Sequence, residues 1–344
     1  MSPTRVVIAD DSAFMRKLIS DVLTRAGMEI AAEVSNGREA LEACRKYEPD
    51  VLSLDLAMPE VDGMGVLRGL RKNPNIKVVV VSSFTEAEGV RAVDALAEGA
   101  FDLVPKFAGR GRLQDFLDEL LQKIEAAAEQ AIQSGDRPDI PAMSVPRRPN
   151  RRPKNLAPGR RLVVIAASTG GPRALTKVLS GMPDQIGLGM LIVQHMPAGF
   201  THSLAARLDA YSDLGVAEAS EGDKIIPTRA LVAPGGKHLR VRRHAATLTE
   251  EPPISGLRPS ADITIADAVA EYGSAIVLAV LTGMGRDACK GAGQVRAAGG
   301  IVIAERGDTC TVNGMPKAVV DAGYADSVLP IDQIAGAIVE AAQT

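Results

Sequence analysis

Residues 162–172 read LVVIAASTGGP, and this stretch decides the fold of the C-terminal half. Leu162–Ala166 is a short, nearly unbroken apolar run with β-branched residues, the composition of a strand covered on both faces in a parallel sheet. The small residues Ala167, Ser168, Thr169, Gly170 and Gly171 allow a tight turn. Pro172 then suits the first position of a helix that continues through Arg173, Ala174, Leu175 and Val178. Ser168 therefore faces a helix N-terminus, where free N–H groups and the positive dipole end hold an oxyanion or a phosphate. Taken alone, the serine reads first as a helix N-cap, because capping is so common.

The residues downstream repeat the pattern. A strand is expected over 189–194 and a helix over 199–209, with His195 ending its strand in GMLIVQHMP as Ser168 ends its own. His202, His238 and His244 read as structural or exposed. The alternation in ALVAPGGKHLRVRRHAATLTE, around Pro234, Gly235 and Gly236, reads as an antiparallel β excursion with a turn. LRPSADITIADAVAEYG follows as a loop entering a helix. Ala275–Leu281 is another buried strand, and the TGMGRDA that ends it puts Asp287 at the same mouth. Ser168, His195 and Asp287 thus follow three separate strands, an arrangement that brings together a nucleophile, a base and an orienting carboxylate. A rival reading uses Gly283, Gly285 and Ala288, which fit G-x-G-x-x-G/A after a strand, with Glu305 placed as a ribose-binding acid. It leaves Ser168 and His195 without work.

Upstream, residues 137–161 hold eight Arg or Lys, one Asp and six Pro, the composition of an extended linker. Before it, 113–133 (LQDFLDELLQKIEAAAEQAIQ) is an amphipathic helix, and order is expected to end near Ser134 and Gly135. Residues 5–124 alternate strand and helix, with strands at Val6–Ala9, Glu29–Val34, Val51–Leu54, Val78–Val81 and Phe101–Val104. Five βα units of this kind make an open parallel sheet whose functional groups gather beyond the strand carboxyl ends. Asp10 and Asp11 follow the first strand, Asp55 closes the third, Ser82 ends the fourth and Lys106 follows the fifth. Three converging carboxylates, Asp10, Asp11 and Asp55, suit Mg²⁺. Asp55 is then placed to form an acyl phosphate, with Lys106 and Ser82 on the phosphoryl oxygens.

The whole divides into domains at 1–124 and 161–344, joined by a helix extension and basic Pro-rich linker over 125–160. Each is long enough to bury its own core. Of the 344 residues 46% are hydrophobic and 24% charged, the net charge is −3 and 3% are aromatic, which argues against a nucleic-acid footprint with stacking side chains. No apolar run approaches a membrane span and no signal peptide precedes Arg5, so membrane insertion is not expected and a cytoplasmic location is. Cys44, Cys289 and Cys310 suggest neither a disulfide framework nor a zinc site.

VVIADDSAFMR, LSLDLAMPEVDG and VVVVSS resemble the receiver domain of two-component response regulators. The chain departs from that pattern at Phe107, where receivers usually carry proline, and at Leu103, where many carry an aromatic. IAASTGGP, VQHMPAGFT, LVAPGGKHLRV, RPSAD, LTGMGRDA and NGMPKAV resemble, in order, the catalytic domain of the CheB family of chemotaxis protein-glutamate methylesterases. Leu257, Asn313, Thr309 and Cys310 depart from the family's usual residues. The resemblance implies a Ser168–His195–Asp287 triad without a cofactor, and backbone N–H groups at Thr169 and Met284 for the oxyanion. It also implies glutamate methyl esters on chemoreceptor helices as substrate, deamidation of receptor glutamines, and phosphorylation of Asp55 by a partner histidine kinase. A catalytically dead, phosphorylation-switched scaffold is the remaining alternative, against which the intact triad residues speak.

Overall fold

Apolar runs become strands in both halves of the chain. The structure, a computed structural model, describes residues 3–71, 73, 75–83, 86–107, 113–133 and 161–343. Two compact units divide it, Met1–Ser144 and Val145–Thr344. Residues 134–160, where order is expected to end and most of the linker runs, lie outside the described residues.

The first unit runs β1 (Arg5–Ala9), α1 (Ala13–Arg25), β2 (Glu29–Val34), α2 (Gly37–Tyr47), β3 (Val51–Asp55), α3 (Gly63–Leu70), β4 (Lys77–Ser82), α4 (Glu86–Ala97), β5 (Asp102–Pro105) and α5 (Leu113–Gln133). Its sheet has the order β2-β1-β3-β4-β5 with every neighbouring pair parallel. The five expected βα units are therefore all present. Fully buried β3 sits near the middle, as a strand covered by helices on both faces must. Ser12 caps α1 by accepting the Met15 N–H, so the chain turns into the helix directly after Asp10 and Asp11.

The second unit continues with β6 (Leu162–Ala167), α6 (Gly171–Leu179), β7 (Met190–Gln194), α7 (Thr201–Tyr211), β8 (Gly215–Glu218), β9 (Arg229–Val232), β10 (His238–Arg242), β11 (Ala245–Thr249), α8 (Ala261–Tyr272), β12 (Ile276–Val280), α9 (Cys289–Ala297), β13 (Ile301–Glu305), α10 (Met315–Asp321), β14 (Ser327–Leu329) and α11 (Ile331–Gln343). Seven strands form one parallel sheet in the order β14-β13-β12-β6-β7-β9-β8. Side chains alternate across it. Leu162, Val164, Ala166, Leu278 and Val280 share one core with Ile265 of α8, Val295 of α9 and Val319 of α10. Val163, Ile165 and Ile192, also fully buried, point to the other face.

The antiparallel excursion is the hairpin β10–β11, and its turn lies at Arg243–His244 rather than around Pro234–Gly236. Both turn residues adopt positive φ, 52° and 57°, the requirement of a two-residue hairpin turn. Residues 230–232, read as part of the excursion, belong instead to β9 in the parallel sheet, where both faces are buried.

Candidate active site

Ser168 follows β6, the strand at which the sheet order reverses. β7, β9 and β8 lie to one side of it and β12, β13 and β14 to the other, and such a switch point opens a crevice beyond the strand carboxyl ends. Gly170, not Ser168, occupies the N-cap of α6, at φ 78°. A Cβ there would also lie 2.3 Å from Thr311 Oγ1, so the turn requires glycine. Ser168 contributes only its carbonyl to the turn, accepting the Gly171 N–H at 2.7 Å. Its half-buried side chain is left out of the cap.

His195 follows β7, whose register pairs Gln194 with Ala167. His195 and Ser168 are thus cross-strand neighbours, on backbones about 4.8 Å apart. The Gln194 side-chain amide ties them, donating to Ser168 O at 2.9 Å and His195 O at 3.0 Å. On the ring, Nε2 lies 2.8 Å from Asp287 Oδ2. Nδ1 is buried and has no hydrogen-bond partner among the described residues.

Asp287 arrives on the loop between β12 and α9 and sits against the start of α8. Its Oδ1 accepts from Ser260 Oγ (3.0 Å) and the Asp262 N–H (3.0 Å), and its Oδ2 from the Ala261 N–H (2.5 Å). Ser260, although at the N-cap, makes no side-chain cap bond; the Asp287 carboxylate takes the helix end instead, where a negative charge is favoured. Burial pushes this carboxyl upward, but the hydrogen bond and charge of His195 and the N–H groups of Asp262 and Ala261 outweigh it and hold it down to about 2. It is an anion at any working pH. An imidazole donating from Nε2 to a fixed carboxylate keeps a lone pair on Nδ1, free to accept a proton.

Glu305 closes β13 but cannot read a ribose. It is 1% exposed, and its oxygens accept the Thr282 N–H at 2.8 Å and the Thr309 hydroxyl at 3.0 Å. Gly283 of the rival motif is likewise structural: a Cβ there would fall 2.7 Å from Ser168 Cβ. Of the residues that depart from the usual family pattern, Thr309 holds Glu305, Asn313 bridges to Gly283 and Leu257 bridges to Ile254.

In the first unit, one ligand atom each from Asp10, Asp11 and Asp55 lies within 4.8 Å of the others. Lys106 Nζ reaches Asp55 Oδ2 at 2.8 Å and Asp10 Oδ2 at 2.9 Å. It does so with Phe107 next to it, and the cis peptide among the described residues is Arg258–Pro259. Burial raises the Asp10 carboxyl, with Lys106 only partly offsetting it. Two buried carboxylates thus share one ammonium with an exposed third, Asp11, close by, and an oxygen-only donor set with surplus negative charge fits Mg²⁺. Ser82 Oγ is buried with no hydrogen-bond partner among the described residues, and Leu103 is buried as well.

Comparison with known proteins accounts for both units. The CheB methylesterase family matches residues 163–338, and the response regulator receiver domain matches 6–118. The chain belongs to the CheB methylesterase family. A relative named protein-glutamate methylesterase/protein-glutamine glutaminase, from Thermotoga maritima, is 38% identical over 343 residues, covering 98% of each chain. A relative of the same name from Symbiobacterium thermophilum is 40% identical and covers 98% of this chain and 97% of its own. The crystal structure of the Thermotoga maritima CheB methylesterase catalytic domain is 43% identical, with a TM-score of 0.51, over 53% of this chain and 98% of that one. As in its CheB relatives, a receiver precedes a mainly parallel α/β domain. The TGMGRDA loop belongs to this fold rather than to a dinucleotide site.

The positions that sequence reasoning passed over are Gln194, Ser260 and Thr282, together with Glu305 in its actual role. Each lay inside or beside a quoted motif. Their polar partners are backbone groups or side chains distant in sequence, so no spacing rule exposes them.

Proposed function

We propose that this chain is a phosphorylation-controlled hydrolase that removes methyl groups from glutamate methyl esters of chemoreceptor helices and deamidates receptor glutamines. The observation that carries the reading is the caged Asp287–His195 pair beside Ser168 at the switch point. Ser168 is the nucleophile and His195 the base, accepting its proton at Nδ1; hydrogen bonds of this kind are often unformed before substrate binds. Asp287 holds the tautomer and stabilises the imidazolium. Attack on the γ-carbonyl gives a tetrahedral oxyanion, for which the N–H groups of Thr169 and Met284 are the proposed donors. Methanol or ammonia leaves with a proton from His195. Water, deprotonated by His195, then hydrolyses the acyl-enzyme.

In the same proposal Asp55 is phosphorylated by a histidine kinase, with Lys106 and Ser82 receiving the phosphoryl oxygens. Asp10, Asp11 and Asp55 would hold Mg²⁺, which when bound supplies charge neutralisation for the phosphoryl group. The layout is a receiver over 1–124, helix extension and linker over 125–160, and a catalytic domain over 161–344, working in the cytoplasm. No helix among the described residues is long and apolar enough to cross a membrane. The test is methanol release from methylated receptor by the full-length protein, with and without a small-molecule phosphodonor. Methanol release that rises with the phosphodonor supports the reading; no release under either condition defeats it.

A further inference from the structure

Thr282 stands immediately after Leu281 at the end of the β12 run, is 2% exposed, and has every polar group engaged. Its N–H donates to Glu305 Oε2 at 2.8 Å. Its carbonyl accepts the Ser168 N–H at 3.0 Å. Its hydroxyl donates to Thr169 O at 2.9 Å and accepts the Val312 N–H at 2.9 Å. The next residue is pinned as firmly: the Gly283 N–H donates to Val312 O, and Gly283 O accepts the N–H groups of Gly314 and Met315. One side-chain hydroxyl therefore ties the segment of Ser168 and Thr169 to the segment that leads into Met284.

We propose that Thr282, anchored from behind by Glu305, is a positioning residue that sets the nucleophile and the two proposed oxyanion donors in register. The inference rests on the reading of Ser168 as nucleophile. The case for Glu305 is that a carboxyl almost without solvent contact meets neutral donors, from Thr282, Thr309 and Cys310, and no cation among the described residues. Burial pushes it up to about 6, against the lowering by Thr282, Thr309 and Cys310 and with Asp308 raising it further. Thr309, in turn, also donates toward Arg306 O and accepts the Ile331 N–H, so the anchor is braced by the loop after β13 and the start of α11. Removing the Thr282 hydroxyl leaves the Thr169 carbonyl and the Val312 N–H without it, and the two segments keep the Ser168 N–H to Thr282 carbonyl bond but lose their side-chain tie. Misplacement of reacting groups by about 1 Å costs on the order of 100-fold in rate.

The experiment uses the full-length protein and methylated receptor, and measures kcat and KM for methanol release, thermal unfolding, and the rate at which a fluorophosphonate labels Ser168. Thr282→Val, nearly isosteric, is expected to lower kcat and the labelling rate together by about 10- to 100-fold, with KM within about threefold and the fold retained. Thr282→Ser restores most of the loss. Glu305→Leu lowers kcat in the same manner, and Glu305→Gln recovers most of it, because an amide accepts from the Thr282 N–H and donates to Thr309. If Thr282→Val does not fold, Thr282→Ala carries the same expectation. A folded Thr282→Val with kcat above half of wild type overturns the proposal, as does a loss confined to KM or to thermal stability, or a folded Thr282→Ser that rescues nothing. Ser168→Ala in the same assay separates the two readings: if it keeps turnover, the nucleophile assignment fails regardless of Thr282.

Discussion

At the ends of β1 and β3, Asp10 and Asp55 are buried against a single ammonium, while beyond β12 Asp287 is buried against four donors. The two mouths share a parallel-sheet architecture and treat carboxylates in opposite ways. The Asp10 carboxyl is raised by burial, so its anionic form is under-compensated and answers to whatever charge enters. The Asp287 carboxyl is held down to about 2 by an imidazole and two helix-end N–H groups, against its burial. One carboxyl is left under-compensated by its surroundings and the other over-compensated.

The sharpest way to break this comparison is at Ser168. Ser168→Ala should lower methanol release by at least about 10⁴-fold in a folded protein, because members of a triad act as a unit; near wild-type turnover would mean that the second mouth is not the catalytic one. Asp287→Asn should cost roughly 10³- to 10⁴-fold in kcat, since an amide neither carries the charge nor suits four donors. Ser168 should still react slowly with a fluorophosphonate, and complete loss of labelling in a folded variant would assign Asp287 more than an orienting role. Asp55→Asn should remove stimulation by a small-molecule phosphodonor, measured as methanol release with and without it; persistent stimulation would take the acidic mouth out of the control path.

The smallest effects concern stability, and their signs are opposite. The lowered carboxyl of Asp287 contributes stability that is fully present above its ordinary value near 4 and disappears as pH falls through about 2. That contribution is on the order of 2 kcal/mol. Glu305 is raised to about 6, so the folded protein holds its proton more tightly than the unfolded chain, and stability declines as pH rises from about 4.5 through 6. Glu305→Gln should accordingly stabilise the protein above pH 6 by on the order of 2 kcal/mol and change little below pH 4.5. Urea unfolding reads the Asp287 sign between pH 4 and pH 2, and the Glu305→Gln effect at pH 4 and pH 8. An equal effect at the two pH values would show that Glu305 does not titrate in this range.

The sequence made the central elements legible because burial on both faces demands an unbroken apolar run. β3, β6, β7 and β12 announce themselves that way, and the residues at their ends could be named as site candidates. β8 and β14 could not: they are edge strands with half-exposed residues and carry no such run. The β10–β11 turn was hidden because Arg243 and His244 take positive φ without the Asn-Gly signal. The anchoring role of Glu305 was not legible because spacing alone placed it, in a rival reading, whereas its partners lie 23 residues away at Thr282 and 4 away at Thr309. The Asp287 cage has the same character, since Ser260, 27 residues distant, and two backbone amides signal nothing as residue types.

The central place of β6 also governs when this protein can act during its own synthesis. Its β7 neighbour emerges soon after it, at Met190, but the β12 neighbour begins at Ile276. Until then Ser168 lacks the Thr282 carbonyl for its N–H, and His195 lacks Asp287. Pairings between such distant segments close late because the loop between them must first be ordered. A nascent or C-terminally truncated chain therefore carries an exposed serine without a site around it. The site waits for the last fifth of the polypeptide to dock.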